Sequence, residues 1–220
     1  MFSSDPVGAV FFDVDGTLVP GTSSSVFLAG YLGHRDELTE AEDAYAAGAM
    51  DNRQVSELDA AGWAGAHVDE VSGRLEGLPL VSGITETVAW CRHNGLVPVL
   101  ATLAWSPVGS YLTDRFGFHA FSGPELETVG GRFTGQVARH FDEYGKRDVA
   151  LAQARELGLS PRACGAVGDS RSDLPLFASV GLSVAFNASP GARGAATVAV
   201  DDEDLRGVLP SLSRLITSTL

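Results

Sequence analysis

Short apolar runs alternate with amphipathic stretches along most of this chain. The apolar runs lie at residues 9–12, 96–101, 163–167 and 182–186. Runs of this length, bounded by turn residues, are typical of strands that are buried on both faces of a parallel sheet. The stretches at 84–94 and 144–157 have helical periodicity and end at Gly95 and Gly158. The alternation predicts an α/β fold, a mostly parallel sheet with helices on both faces.

One long segment departs from this alternation. Residues 23–77 contain no β-branched run and are rich in Ala, Glu, Asp and Leu. Helices are predicted near 25–32, 36–49, 52–64 and 68–76, with breaks at His34-Arg35 and Gly65-Ala66. We therefore expect a small helical cap domain, residues 21–79, inserted after the first strand of a core formed by 1–20 and 80–220.

The second half of the chain contains shorter signals. Ser106 and Pro107 suit the N-cap and first residue of a helix. Gly130-Gly131 lies between two alternating runs and predicts a β-hairpin over 126–137. The remaining predicted elements are strands at 118–121 and 197–200 and helices at 174–179 and 203–217.

The first apolar run leads directly into two acids and a glycine. Asp13 and Asp15 begin on the same side of this strand, at its carboxyl end. Open α/β sheets form their sites at that edge. Two neighbouring carboxylates repel one another, and a hard cation such as Mg²⁺ compensates them with oxygen ligands. The pair predicts a nucleophile and a general acid/base, although two solvated acids before a turn would have the same sequence.

Further polar residues lie at the ends of other predicted strands or at the start of a predicted helix. Thr102 ends the second strand, and Lys146 begins a helix, with Arg147 as a competing candidate. The fourth strand leads into Gly-Asp-Ser-Arg-Ser-Asp, which brings Asp169 and Asp173 to the same edge of the sheet. Each feature alone has an ordinary structural explanation. Together they add a hydroxyl, a cation and a second acidic pair suited to Mg²⁺ at the edge where Asp13 and Asp15 lie.

Asp-Val-Asp-Gly-Thr-Leu-Val at 13–19 resembles the first motif of the haloacid dehalogenase superfamily, whose members are mostly phosphatases that work through an aspartyl-phosphate. Thr102, Lys146 and the acidic pair at 169 and 173 are similar to its later motifs. The resemblance extends over nearly the whole chain. The helical insert and the hairpin before the Lys146 helix resemble the phosphoserine phosphatase branch in particular. The implied fold is a Rossmann-like parallel core with a helical cap.

The resemblance also implies a role for each matching residue. Asp13 would be the nucleophile, and Asp15 would protonate the leaving oxygen and then activate water. Mg²⁺ would be held by Asp13, the backbone carbonyl of Asp15, and Asp169, with Asp173 supporting that shell or Lys146. Phosphate binding would fall to Thr102, Lys146 and the backbone N–H of Leu103 or Ala104.

The residues expected at the leaving group depart from the phosphoserine phosphatase pattern. Pro-Gly-Thr-Ser at 20–23 lacks the acid that holds the substrate amine in that branch, and offers Thr22 and Ser23 instead. The cap position of the carboxylate-binding arginine falls near Asp59 by our count, with Arg53 not far off. Trp105 could add an apolar wall. An unpaired charge in a closed site is costly, so we expect that phosphoserine is not the preferred substrate.

Charge and composition exclude several other classes. The formal net charge of −13 disfavours nucleic acid and anionic membranes as partners. No apolar run approaches membrane-spanning length, and the first residues lack a signal-peptide pattern, so we expect a cytoplasmic location. The five histidines form no zinc-binding pair, and Cys91 and Cys164 fit no metal or redox spacing.

Three functions remain open. The leading one is Mg²⁺-dependent hydrolysis of a small phosphomonoester, with phosphoserine phosphatase proper as the alternative. Transfer of the phosphoryl group to a second alcohol would use the same residues. A non-catalytic binding module with this fold is disfavoured by the complete set of motif residues. The sequence leaves the substrate, the pathway and the oligomeric state undetermined.

Overall fold

The computed structural model describes residues 6–217. A six-stranded sheet forms its centre, in the order β3-β2-β1-β6-β7-β8, and the paired strands are parallel. The strands are β1 Gly8–Phe12, β2 Leu96–Ala101, β3 Phe121–Ser122, β6 Cys164–Gly168, β7 Leu182–Phe186 and β8 Val198–Val200; the separate antiparallel hairpin consists of β4 Glu125–Val129 and β5 Arg132–Arg139. This architecture confirms the predicted parallel α/β fold and the hairpin.

Helices cover both faces of the sheet and fill the segment after β1. They are α1 Ser24–Leu32, α2 Arg35–Ala46, α3 Asn52–Gly62, α4 Val68–Arg74, α5 Ile84–His93, α6 Ser106–Phe116, α7 Glu143–Glu156, α8 Leu174–Phe177, α9 Pro190–Ala195 and α10 Leu209–Thr217. Four of the helices, α1 to α4, lie between β1 and α5, where the sequence predicts the cap. The domain limits themselves remain a prediction. Within residues 6–217, no helix has the length and apolar character needed to cross a membrane.

The central strands are buried throughout, as their sequences predict. Every residue of β1, β2, β6 and β7 is buried. Apolar side chains from opposite faces of these strands belong to two separate core clusters, one around Phe12 and one around Phe11. Burial of both faces explains why these strands are continuous apolar runs rather than alternating ones.

The hairpin packs on the inserted helices. The ring of Phe133 on β5 lies 5.0 Å from the ring of Trp63, which follows α3, in an edge-to-face arrangement. The Gly65 N–H donates to the Phe133 carbonyl at 2.9 Å, and the Phe133 N–H donates to the Ala66 carbonyl at 3.0 Å. The hairpin therefore holds the end of α3 in place.

Several predicted boundaries are wrong. The third strand begins at Phe121 rather than 118, because Pro98 of β2 has no N–H to offer on that side. Helix α2 ends at Ala46, ahead of Gly48 with φ 77°, rather than at 49. Ser106 is the first residue of α6, and Trp105 is its N-cap. The predicted helix at 203–217 consists of a 3₁₀ turn and α10, and α9 was not predicted.

Candidate active site

Three strand ends bring the predicted residues together. β1 lies between β2 and β6, so Asp13 after β1 is flanked by Thr102 after β2 and Asp169 after β6. The Asp13 N–H donates to the Val167 carbonyl of β6 at 2.9 Å, which fixes the chain at this point. The chain runs from β1 to β2 and β3 on one side and later returns to β6 on the other side, and crevices for ligands form where the strand order reverses in this way.

Lys146 reaches this edge from helix α7. The Asp142 side chain caps the helix, and Lys146 is fully buried. Its Nζ lies 2.8 Å from Asp13 Oδ1 and 2.6 Å from Asp173 Oδ1. Burial alone would lower the pKa of Lys146, but the two carboxylates outweigh it and raise the pKa above its ordinary value. The ammonium group is therefore a permanent charge between two acids.

Arg147, the competing candidate, lies elsewhere. Its guanidinium group pairs with Asp148 at 2.7 Å and stacks on the Tyr144 ring. The helix thus presents Lys146 to the acids and Arg147 to the surface.

The acids themselves hold protons more tightly than usual. Burial raises the pKa of Asp13 to about 7, although Lys146 opposes this shift. Burial, together with the charges of Asp13 and Asp173, raises the pKa of Asp169 to about 8. Desolvation is the largest cause of both raised pKa values, and repulsion from the neighbouring carboxylates adds to it. A cation placed among these acids would favour their ionised forms.

The carboxylates of Asp13, Asp169 and Asp173 form a group suited to a hard metal ion. Each offers an oxygen, and these oxygens lie within 4.8 Å of one another. Asp173 is already engaged: Oδ1 accepts from Lys146, and Oδ2 accepts from the N–H groups of Asp169 and Ser170. Asp13 and Asp169 are thus more available than Asp173 to bind a metal ion, and carboxylate oxygens are ligands that fit Mg²⁺.

Gly16 makes this arrangement possible. Its φ is 83°, and a Cβ there would lie 2.2 Å from Asp169 Oδ2. A larger residue would push Asp169 away from Asp13.

Asp15 belongs to a different environment from Asp13. Its Oδ1 accepts a hydrogen bond of 2.6 Å from the Ser24 N–H at the start of α1. Its carboxylate is not part of the three-carboxylate group, so the predicted metal contact of Asp15 rests on its backbone carbonyl alone. Burial raises the pKa of Asp15, and the Ser24 hydrogen bond opposes the shift. A raised pKa suits a group that donates a proton.

The predicted phosphate loop begins at buried Thr102. Its Oγ1 accepts a 3.0 Å hydrogen bond from the Ala104 N–H. Of the two backbone donors that the sequence left open, the Ala104 N–H is therefore already used within the loop. Leu103 remains the candidate donor, and both Thr102 and Leu103 line the cavity described next.

A cavity of about 380 Å³ opens over these residues, between the sheet edge and the inserted helices. Thr22, Ser23 and Trp105 line it, as predicted for the leaving-group side. Arg53 does not line it. Arg53 pairs with Glu57 at 2.9 Å, is largely exposed, and borders a neighbouring cavity.

Glu42 and Arg171, two residues of the cavity, were not predicted from the sequence. Glu42 on α2 accepts a 2.6 Å hydrogen bond from the Ser23 hydroxyl, and burial raises its pKa to about 7. Arg171 stacks on the Tyr45 ring and donates to the Tyr45 carbonyl at 2.6 Å. Asp59 on α3 is 2% exposed. Glu42 lies in ordinary helical sequence, and no motif signals it. Asp59 is the position at which our count placed the carboxylate-binding arginine of the phosphoserine phosphatase branch.

Comparison with known proteins identifies the family of this chain. The family model for haloacid dehalogenase-like hydrolase matches residues 10–178. The chain belongs to this family. It is 30% identical over 201 residues to a phosphoserine phosphatase of Streptomyces coelicolor, covering 91% of this chain and 49% of the relative. It is 32% identical over 137 residues to a phosphoserine phosphatase of Polaromonas, covering 60% and 58%.

A third relative, a phosphoserine phosphatase of Vibrio cholerae, is 27% identical over 212 residues, covering 96% of this chain and 64% of the relative. The chain thus spans about half to two thirds of the length of these relatives.

Solved structures share the fold. A substrate-bound phosphoserine phosphatase complex superposes with a TM-score of 0.85 at 21% identity, covering 93% of this chain and 98% of that one. A probable phosphoserine phosphatase from Vibrio cholerae gives a TM-score of 0.80 at 25% identity, covering 100% and 70%. The first likeness establishes the fold and leaves the substrate open.

Proposed function

We propose that this chain is a phosphomonoester hydrolase that works through an aspartyl-phosphate. One observation carries the proposal. At the base of the cavity, the Asp13 carboxylate lies 2.8 Å from buried Lys146, in a group of acids with Asp169. A fixed cation beside the carboxylate offsets the repulsion between the carboxylate and the negatively charged phosphoryl oxygens, so that the carboxylate can approach phosphorus.

The proposed reaction has two steps. In the first, a carboxylate oxygen of Asp13 attacks phosphorus, the bond to the leaving oxygen breaks, and Asp15 gives that oxygen its proton. In the second, Asp15 takes a proton from water, the water oxygen attacks phosphorus, and the bond to Asp13 breaks. Inorganic phosphate and a free alcohol are the products. The raised pKa of Asp15 favours its acid role in the first step.

Mg²⁺ is the proposed cofactor, because the freer oxygen donors here are hard carboxylates. Asp13, Asp169 and the Asp15 carbonyl would hold the ion, and Asp173 would orient Asp169 and Lys146. When bound, the ion neutralises charge on the phosphoryl oxygens and the acids. Lys146, Thr102 and the Leu103 N–H would hold the remaining phosphoryl oxygens.

Phosphoserine is the second candidate substrate, and Glu42 favours it. The expectation against phosphoserine rests on a pocket without an acid or a cation near the leaving group. Glu42 supplies an acid to this cavity, and Arg171 supplies a cation on its lining. Both could meet the charged groups of an amino acid. The preference against phosphoserine remains a prediction.

A colour assay with p-nitrophenyl phosphate tests the proposal. We expect Mg²⁺-dependent release of p-nitrophenol that stops in excess chelator. No turnover in Mg²⁺ with this or other phosphomonoesters would favour a binding module. Faster release of p-nitrophenol on adding alcohols, with phosphate found on the alcohol, would indicate phosphoryl transfer. The cytoplasmic location and the absence of a nucleic-acid partner remain predictions.

A further inference from the structure

A single buried carboxylate joins the inserted helices to the phosphate loop. Asp59 on α3 accepts a hydrogen bond from Trp105 Nε1, which lies 2.7 Å from its Oδ2. Its Oδ1 accepts from Trp63 Nε1 at 3.0 Å and lies 2.8 Å from His34 Nε2. Three ring nitrogens, from Trp105, Trp63 and His34, thus meet one side chain that is 2% exposed.

The two indoles differ in where their rings lie. Trp105 lines the cavity together with Thr102 and Leu103, four residues after Ala101, the last residue of β2. Trp63 packs edge-to-face on Phe133 of the hairpin and is not among the described residues that line the cavity. One carboxylate therefore orients a structural ring and a ring that forms a wall of the site.

The environment makes this arrangement rigid. A buried carboxylate without its hydrogen-bond donors has a high free-energy cost. Moving any one of these donors away is therefore unfavourable, which holds each of them in place. Gly62 adds to the constraint, because a Cβ there would lie 2.2 Å from His34 Nδ1. The close approach of His34 to α3 therefore depends on this glycine.

We propose that Asp59 is a positioning residue that sets leaving-group selectivity by fixing the Trp105 ring in the cavity wall. The inference rests on the proposed phosphatase function and deepens it. A wall held by a buried hydrogen bond resists displacement by a bulky leaving group. If the bond is removed, the ring can move, and the cavity accepts larger alcohols.

The test compares two phosphomonoesters that differ in bulk, 1-naphthyl phosphate and ethyl phosphate, by the ratio of their kcat/KM values. Trp105→Phe removes the donor of the bond. Asp59→Asn leaves one acceptor oxygen, which is favoured on the side of Oδ1 where Trp63 and His34 meet it, so that the NH₂ group faces Trp105 Nε1 and the bond is lost. We expect both to raise the ratio for the bulkier ester by about fivefold, the size that corresponds to a net hydrogen bond of about 1 kcal/mol. The change should fall mainly on KM, because the reacting groups are untouched.

Trp63→Phe is the matched control. It removes a donor to the same carboxylate but leaves the Trp105 bond in place, so the ratio should stay within about twofold of wild type. Added to Trp105→Phe, Asp59→Asn should change the kcat/KM ratio little further. Added to Trp63→Phe, Asp59→Asn should change the ratio as much as it does in the wild-type protein. If Asp59→Asn does not fold, Asp59→Glu takes its place, because it keeps the charge but displaces it.

The possible results distinguish failure of the proposed function from failure of the inference about Asp59. If wild type hydrolyses no phosphomonoester, the proposed function and this inference both fall. If wild type is active but the Asp59 variant leaves the ratio unchanged, only the inference falls. An equal change in Trp63→Phe, or an Asp59 effect that persists in full without the Trp105 donor, would show a general structural role and overturn the inference.

Discussion

The ammonium nitrogen of Lys146 lies 2.8 Å from Asp13 Oδ1, with both side chains buried. The same nitrogen lies 2.6 Å from Asp173 Oδ1. Lys146 is therefore the common cation of two buried acids, one proposed as the nucleophile and the other as the support of the metal site. Stability and catalysis should depend on it together.

Lys146→Met should abolish turnover and also destabilise the metal-free protein near neutral pH. It leaves two buried acids without their cation, and breaking a buried pair typically costs about 3–5 kcal/mol. Denaturant unfolding followed by circular dichroism measures the change. Arg147→Ala is the control, and it should cost roughly 1 kcal/mol or less because its pair with Asp148 is partly exposed. Equal losses in both variants would contradict the structural role of Lys146.

The metal-free protein should lose stability as pH rises from about 4 to about 8. Burial raises the pKa values of Asp13 and Glu42 to about 7 and of Asp169 to about 8. The folded state therefore binds more protons than the unfolded state in this window, and the free energy of unfolding falls with pH. Asp169→Asn should flatten this dependence, and so should Mg²⁺. Stability that rises through this window would contradict the raised pKa values.

Asp169→Ala should weaken Mg²⁺ binding by at least about tenfold, because it removes the freer of the two carboxylates that follow β6. Calorimetric titration with Mg²⁺ measures this without relying on activity. Asp148→Ala, at an exposed acid on α7, should leave affinity nearly unchanged. We also expect Ca²⁺ to replace Mg²⁺ poorly in turnover, because it accepts more ligands at longer distances. Unchanged Mg²⁺ affinity in Asp169→Ala would rule out this site.

Glu42→Gln should reduce kcat/KM for O-phosphoserine and O-phosphoethanolamine relative to glycerol phosphate. The carboxylate lines the cavity, and an ammonium group in the substrate would lose its charged partner. Asp43→Asn removes a neighbouring but exposed charge and serves as the control. If all three esters respond equally to Glu42→Gln, the cavity does not select an ammonium group, and the expectation against phosphoserine regains its basis.

The sequence predicted which strand-end residues meet at this edge of the sheet, because their positions are local to the strands. Asp13, Thr102 and Asp169 each directly follow a buried apolar run, and parallel strands place such residues at one edge. The bounds of β2 and β7 agree with prediction for the same reason, since buried strands have the clearest apolar signal.

The leaving-group side could not be predicted in the same way. Asp59 is buried by contacts with Trp105 and His34, which lie 46 and 25 positions away in the chain. Helical periodicity gives no sign of such a contact, and an acid in a helix is usually solvated. Arg53 was predicted near the leaving group, but it forms an ion pair with Glu57 four residues later on the same helix. This pair holds Arg53 at the surface.

The most direct test of the central claim is to look for the phosphoryl group on Asp13. Wild-type protein is mixed with p-nitrophenyl phosphate and Mg²⁺, quenched in acid within one turnover, digested and analysed by mass spectrometry. We predict that the peptide containing Asp13 gains the mass of one phosphoryl group, which hydroxylamine removes. Asp13→Asn should fold, gain no such mass and show no turnover. Modification of another residue, or turnover by Asp13→Asn within about tenfold of wild type, would contradict the account.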